Sequence, residues 1–173
     1  EVDLFEAVES GKIKAIWIMA TNPVVSLPNA DQIKRALETC EFVVVSDICK
    51  DTDTTQYADV LLPALGWGEK DGTVTNSERR ISRQKAFLDT PEQAKADWWA
   101  VAQVAKKLGF SGFDFENSYD IFKEHAQLSA YQNADISERD STETFRYFNL
   151  KGLTNLSFQQ YDSLEPVQWP ILK

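Results

Sequence analysis

Three short apolar runs predict strands in the first part of the chain. Residues 14–20 form a nearly unbroken apolar run that ends in Thr21-Asn22-Pro23, as is typical of a strand buried on both faces. Residues 42–45 form a second run, rich in β-branched side chains, which leads into Ser46 and Asp47. Residues 60–63 form a third run, so we predict three buried strands.

Helical spacing separates the first two strands. Apolar side chains recur at intervals of three and four residues, at Ile33, Ala36, Leu37 and Cys40. They predict an amphipathic helix of about three turns. Asn29, with Gln32 three residues later, resembles a capping box and predicts the start of this helix. An earlier helix is predicted to end at Gly11.

The strand–helix–strand order predicts a ligand-binding edge. In such units the parallel strands place their carboxyl ends at one edge of the sheet, where ligands bind. We expect Asn22 and Asp47 to lie side by side there, with Asp47 able to accept hydrogen bonds from ribose hydroxyls. The alternatives are a turn role for Asn22 and a capping role for Asp47. A nicotinamide or flavin site is disfavoured, because G-x-G-x-x-G is absent and Pro23 removes a donor.

A loop rich in glycine and charge, residues 66–80, directly follows the third strand. Its glycines permit close approach of the backbone to a ligand. Side chains with donor groups stand among them at Lys70, Asn76, Arg79 and Arg80. The pattern indicates a binding loop for a phosphate-rich or anionic ligand. The alternative is a hairpin between Gly72 and Ser82 whose charges face water.

The C-terminal half is predicted to contain two helices and an irregular tail. The first helix is predicted to begin with Pro91 at its first position. Asp97 lies one position before its apolar face, or is a first-turn acid of a helix that begins later. The second helix, over residues 117–130, carries His125, which we interpret as a packed or surface residue.

Together these elements predict an α/β fold of three layers. Its sheet is expected to be mostly parallel and Rossmann-like, with helices on both faces and an irregular C-terminal extension. Residues 1–112 would form a nucleotide-binding-like core, and residues 113–173 a helix plus an extension that packs on it.

Composition narrows the classes of ligand and partner. Asp and Glu outnumber Lys and Arg by 27 to 18, and this formal charge of −9 argues against nucleic acid. Cys40, Cys49 and the single His125 fit no zinc or redox spacing, and free thiols indicate a reducing, cytoplasmic compartment. No apolar run is long enough to predict a membrane span. Because Glu1 already lies within a predicted helix, we expect a piece of a longer protein.

Five segments, in matching order and spacing, resemble the molybdopterin oxidoreductase family. They are WIMATNP (17–23), VSD (45–47), YADVLLPA (57–64), GWGEKDG (66–72) and NSERR (76–80). Residues 124–129 and 166–170 are also similar to the branch of bacterial assimilatory nitrate reductases. The similarity covers nearly the whole chain, with one departure at residues 137–148, which look longer than the family's short link.

The resemblance implies a bis-molybdopterin guanine dinucleotide cofactor that carries molybdenum. It implies that the guanosine or phosphate portions of this cofactor contact Asn22, Ser46, Asp47, Lys70 and Asp97. Carboxylates can accept hydrogen bonds from ribose hydroxyls or guanine N–H groups, and a lysine offers charge to phosphate. The matched Asn76, Arg79 and Arg80 are expected to shape the pocket or to attract anions.

The resemblance also implies chemistry that lies outside this chain. An iron–sulfur cluster in such enzymes needs about four cysteines, and neither these nor a molybdenum-binding cysteine has a counterpart here, so we expect no catalytic residue, no metal ligand and no activity of the chain alone. The full-length enzyme would reduce nitrate to nitrite with an unidentified electron donor, and its other domains would be partners of this chain. The alternatives are a periplasmic nitrate reductase, a formate dehydrogenase, or a non-catalytic interaction domain.

Overall fold

The computed structural model describes residues 2–133 and 146–173, and the chain forms two compact units. The first unit contains residues 1–67 and 89–111, and the second contains residues 68–88 and 112–173. The division into residues 1–112 and 113–173 stays a prediction about domains. Residues 68–88 belong to the same compact unit as the C-terminal residues.

The first unit is an α/β arrangement built on a parallel sheet. Its elements are α1 (Val2–Glu9), β1 (Ala15–Met19), α2 (Pro23–Ser26), α3 (Ala30–Thr39), β2 (Phe42–Asp47), a 3₁₀ turn (Thr55–Tyr57), β3 (Val60–Pro63) and α4 (Asp97–Lys107). The predicted α/β class and its three parallel strands are confirmed. The predicted burial of the third strand is wrong, because Val60 and Leu61 are 37% and 41% exposed on this edge strand.

The sheet has the strand order β1-β2-β3. Central β2 is paired on both edges, and its Val43 and Val45 are buried, while Phe42 on the other face is exposed. Met19 lies opposite Ser46, and Asp47 lies opposite Pro63. The carboxyl ends of the three strands therefore share one edge, as predicted.

The core of the first unit lies between its helices and its sheet. The buried members are Phe5, Val8, Ile18, Val24, Ile33, Ala36, Leu37, Val43 and Val45. The predicted apolar stripe of α3 is thus confirmed, and Cys40 packs against this core from the end of the helix. The predicted helix end at Gly11 is also confirmed, because Gly11 takes a positive φ of 73° after α1, a conformation that favours glycine.

The predicted start of α3 is confirmed, because Asn29 is its N-cap residue. The predicted capping box is absent: Asn29 has a left-handed backbone, with φ 60°, its side chain caps no backbone N–H, and its Nδ2 donates to Gln32 Oε1 at 3.0 Å. The start predicted at Pro91 is wrong, because that helix, α4, begins at Asp97. The alternative for Asp97, a first-turn acid of a helix that begins later, is confirmed. The intervening backbone pairs with the end of β3, where the Lys95 N–H donates to the Pro63 carbonyl at 3.0 Å, and this contact outweighs the helical preference of Pro91.

The second unit combines a small antiparallel sheet with helices. Its elements are β4 (Gly72–Thr75), β5 (Arg80–Gln84), α5 (Ser118–Ala130), a 3₁₀ turn (Lys151–Leu153), α6 (Phe158–Asp162) and β6 (Val167–Gln168). Strands β4 and β5 form a hairpin, which confirms the alternative geometry considered for residues 72–82. The predicted helix over 117–130 is confirmed, with Asn117 as its cap. Its core comprises Ile81, Phe122, Ala126, Leu150, Leu153 and Tyr161.

Most of the segment that departs from the family pattern lies outside the described residues. Of the departure at residues 137–148, positions 137–145 lie outside the described residues. Among the helices of residues 2–133 and 146–173, none is long and apolar enough to cross a membrane.

Candidate functional site

Ser46 lies at the carboxyl end of β2 and is only 2% exposed. The indole Nε1 of Trp17, on the neighbouring strand, donates to Ser46 Oγ at 2.9 Å. An indole nitrogen is only a donor, so this bond uses an acceptor site of Ser46 and leaves its own hydroxyl hydrogen for another acceptor.

Asn22 stands between β1 and the short helix α2. Its backbone carbonyl accepts from the N–H groups of Val25 and Ser26 at 3.0 and 2.9 Å, so the turn role considered from the sequence is present. Its side-chain Oδ1 accepts from Thr54 Oγ1 at 2.6 Å. The carboxamide is therefore held from the side of the 3₁₀ turn.

Asp47 is the last residue of β2. Its Oδ1 accepts from the Cys49 N–H at 2.9 Å, so the capping role is also present. Asp47, Cys49 and Lys50 line a shallow groove beside Leu61 and Leu62 of β3. The carboxylate thus shapes a turn at the strand edge and borders an open surface there.

Asp97, the first residue of α4, and Ser46 line one pocket at the carboxyl ends of β2 and β3. The pocket has a volume of about 90 Å³, and Leu62, Pro63 and Trp99 provide apolar walls. Two of the predicted residues, far apart in sequence, are brought together here. Apolar walls around a few polar groups are typical of small-molecule sites.

Lys70 and the other predicted loop residues belong to the second unit. The Lys70 carbonyl accepts from Gln84 Nε2 at 3.5 Å. Asn76 Oδ1 accepts from the N–H groups of Glu78 and Arg80, at 3.0 and 3.1 Å, and so forms the hairpin turn. Arg79 has a φ of 61°, and its guanidinium lies 5.7 Å from the centre of the Trp169 ring. Binding roles for these residues stay predictions.

An ionic network centred on Arg83 holds the hairpin within the second unit. The Arg83 side chain is 6% exposed, and its Nη2 lies 2.7 Å from Asp71 Oδ1 and 3.2 Å from Asp162 Oδ1. Its Nη1 donates to the Gly72 carbonyl at 2.9 Å. Ser118, at the start of α5, donates to Asp71 Oδ2 at 2.6 Å. The residues that directly follow Lys70 are thus anchored to two helices.

The second unit is expected to lose stability at strongly alkaline pH because of Tyr161. Burial raises the pKa of Tyr161, since the phenolate would lose its hydration. A raised folded pKa gives stability that is complete below the unfolded pKa, about 10, and is lost as pH rises through the folded pKa. Urea midpoints measured between about pH 9 and 11.5 should fall, and the fall should be smaller in Tyr161→Phe. An equal fall in both proteins contradicts this assignment.

Asp162 titrates in the opposite sense. The hydrogen bond from Lys85, at 2.8 Å, and the nearby positive charges hold the pKa of Asp162 below its usual value. Its contribution is present above the unfolded pKa and is lost as pH falls through the folded pKa. The stabilisation that Asp162 gives to the hairpin is therefore present at neutral pH.

Trp17 and Thr54 contact predicted site residues but have no sequence signal of their own. Each forms its bond across about 30 residues of chain. Trp17 lies within the family-like segment 17–23, but nothing in that segment indicates a contact with Ser46. Within residues 2–133 and 146–173, no group of three or more His, Cys, Asp or Glu is placed to hold a metal ion.

Residues 2–107 match the family model of the molybdopterin oxidoreductases. The chain is 58% identical over 170 residues to a nitrate reductase of Shewanella frigidimarina, covering 98% of this chain and 17% of that protein. It is 51% identical over 171 residues to a nitrate reductase of Klebsiella oxytoca, covering 98% of this chain and 19% of that protein. The chain therefore spans about a fifth of the length of these relatives.

Two further proteins widen the comparison. The chain is 44% identical over 118 residues to the alpha subunit of an F420-dependent formate dehydrogenase of Methanocaldococcus jannaschii, covering 67% of this chain and 17% of that protein. The structure of acetylene hydratase from Pelobacter acetylenicus superimposes with a TM-score of 0.69 and 18% identity, over 98% of this chain and 21% of that chain. At this identity the likeness shows the fold alone.

Proposed function

Because the chain belongs to the molybdopterin oxidoreductase family, we propose that it binds the guanine dinucleotide portion of a bis-molybdopterin guanine dinucleotide cofactor in a nitrate reductase. The observation that carries the proposal is the pocket that Ser46 and Asp97 share at the carboxyl edge of the sheet. Its volume of about 90 Å³ is below the roughly 300–1,000 Å³ of whole-ligand sites. This unit would therefore hold one part of the nucleotide.

The side chains at this edge fit a nucleoside. Asp47 and Asp97 would accept hydrogen bonds from ribose hydroxyls or guanine N–H groups, while Asn22 and Ser46 would donate. Lys70, in the second unit, would offer its charge to a phosphate. Asn76, Arg79 and Arg80 would shape a pocket or attract anions.

The bound cofactor would supply the two-electron chemistry that converts nitrate to nitrite. The residues of this chain would bind and orient its nucleotide end, while an iron–sulfur cluster, the electron donor and the substrate site would belong to other domains. We expect the chain alone to be inactive, and its free cysteines, Cys40 and Cys49, support a cytoplasmic location.

Nucleotide binding by the chain tests this function. We expect GDP to shift the amide resonances of Asn22, Ser46 and Asp97 in a ¹⁵N-correlated NMR titration. Asp97→Asn and Asp47→Asn should each weaken GDP about tenfold, because hydrogen bonds to a charged acceptor are among the stronger ones.

The matched control is Asp31→Asn, which changes an exposed carboxylate on α3 whose side chain is 85% exposed. It should leave GDP affinity unchanged. Binding that is absent from the wild type, or equal in all three variants, contradicts the proposal.

A formate dehydrogenase is the second candidate, since a protein of that name shares 44% identity over 118 residues. It would use the same cofactor with another substrate, as would a periplasmic nitrate reductase, and the choice lies with residues near the metal. Comparing nitrate and formate as substrates of the complete enzyme separates the candidates. A non-catalytic interaction domain, in contrast, would bind no GDP.

A further inference from the structure

Thr54 is completely buried, and its hydroxyl group both accepts and donates a hydrogen bond. The Val24 N–H donates to Thr54 Oγ1 at 3.3 Å, and Thr54 Oγ1 lies 2.6 Å from Asn22 Oδ1. A hydroxyl has one hydrogen to donate. Thr54 accepts from the Val24 N–H and gives that hydrogen to Asn22 Oδ1.

This bond fixes the direction of the Asn22 carboxamide. If the amide were reversed, two donors would meet Thr54 Oγ1 and the buried hydroxyl hydrogen would have no acceptor, which costs free energy. Oδ1 therefore faces Thr54, and the NH₂ group points away from it. Within residues 2–133 and 146–173, no acceptor is bonded to Asn22 Nδ2, so both of its hydrogens are available to a ligand.

A second buried hydrogen bond, from Trp17 to Ser46, also leaves a hydrogen of a predicted site residue to be donated. Trp17 Nε1 donates to Ser46 Oγ at 2.9 Å, and Ser46 is 2% exposed beside the pocket that it shares with Asp97. The indole cannot accept a hydrogen bond. This bond fills one of the two acceptor sites of Ser46 and leaves its hydroxyl hydrogen to be donated, as the bond to Thr54 leaves the NH₂ group of Asn22.

We propose that Thr54 and Trp17 are positioning residues that fix Asn22 and Ser46 as donors toward the ligand. The inference rests on the proposed function and adds to it the direction of the hydrogen bonds between these residues and the ligand. Asn22 and Ser46 would select acceptor atoms of a nucleoside diphosphate, such as a phosphate or carbonyl oxygen, and the carboxylates of Asp47 and Asp97 would select its donors. Neither Thr54 nor Trp17 would touch the ligand.

The test removes the Thr54 hydroxyl at nearly constant volume. In Thr54→Val we expect GDP to bind about five- to tenfold more weakly, the loss expected when one hydrogen bond is no longer oriented. Thr54→Ser keeps the hydroxyl and should bind like the wild type. The side-chain ¹⁵N relaxation of Asn22 should report a rigid NH₂ group in the wild type and in Thr54→Ser, and a mobile one in Thr54→Val.

A double-mutant cycle separates positioning from general destabilisation. If Thr54 acts through Asn22, Thr54→Val should cost no further affinity in an Asn22→Ala background. Trp17→Phe should be similarly silent once Ser46→Ala is present. Dispersed amide spectra of each variant would show that it is folded.

The outcomes distinguish a failure of the proposed function from a failure of the positioning role. A wild type that does not bind GDP overturns the proposed function and the inference with it. Normal wild-type binding with an unaffected Thr54→Val, a mobile wild-type Asn22 amide, or an equal loss in the Asn22→Ala background overturns the inference alone. A loss in Thr54→Val that Thr54→Ser avoids, and that vanishes in the Asn22→Ala background, supports it.

Discussion

Replacing Tyr161 with alanine is expected to lower the stability of the second unit by about 3–5 kcal/mol, as for other large aromatic side chains removed from a core. Tyr161 is 0% exposed. Its ring centre lies 5.0 Å from that of Phe122 and 5.5 Å from that of Tyr119, and the Arg83 guanidinium lies 4.5 Å from it. The substitution would leave a cavity where these three side chains meet.

Tyr161→Phe is the matched control for this prediction. It keeps the ring and loses only the hydroxyl, which bonds to Ser118 Oγ at 3.2 Å, so we expect a loss of about 1 kcal/mol. Urea unfolding, followed by the near-ultraviolet circular dichroism of the aromatic cluster, measures both variants. Similar losses for alanine and phenylalanine would show that ring packing does not stabilise this unit.

Arg83→Met is expected to have the second largest effect, about 2–3 kcal/mol. Truncating one partner of a buried ion pair leaves the other charge uncompensated, which costs about 3–5 kcal/mol of stability. Water relieves part of this cost here, because the Asp71 and Asp162 side chains are 44% and 42% exposed. Methionine keeps most of the apolar contact with Tyr161. The expected loss is therefore mainly electrostatic.

Lys85→Met provides the comparison, because Lys85 also pairs with Asp162 but its side chain is 57% exposed. An exposed pair contributes little, so we expect almost no change in unfolding midpoint. Hydrogen exchange at residues 70–75 adds a local measurement: Arg83→Met should accelerate it, and Lys85→Met should not. Equal exchange in the two variants would remove Arg83 from the anchoring of the loop.

The strands of the first unit could be predicted because their sequence signal is local. Unbroken apolar runs such as residues 42–45 are typical of strands in a parallel sheet, and here Val43 and Val45 are buried on one face. The sequence leaves two starts open for α4, Pro91 or a later one near Asp97, and cannot decide between them, since the pairing of Lys95 with Pro63 joins residues about 30 positions apart. Asn29 shows a second limit: the sequence locates the start of α3 at this residue, but not its left-handed backbone, which differs from the usual extended form of a cap and lacks the side-chain bond to a backbone N–H.

The candidate site divides in the same way. Asn22, Ser46 and Asp47 are predicted from strand ends, which the sequence locates well, and the parallel register places Ser46 and Asp47 at the edge where β1 and β3 also end. Thr54 and Trp17 could not be found, because a threonine in a polar stretch and a tryptophan in an apolar run are both ordinary. Only the folded chain shows which predicted residue each one contacts.

The second unit is assembled from two stretches that residues 89–111 separate. Asp71 and Lys85 are synthesised long before Ser118 and Asp162, the side chains that hold them. A nascent chain that has reached residue 111 can complete its parallel sheet, while its β-hairpin still lacks the helices on which it packs. Folding on the ribosome is therefore expected to occur in two steps, and the loop that carries Lys70 becomes ordered only in the second.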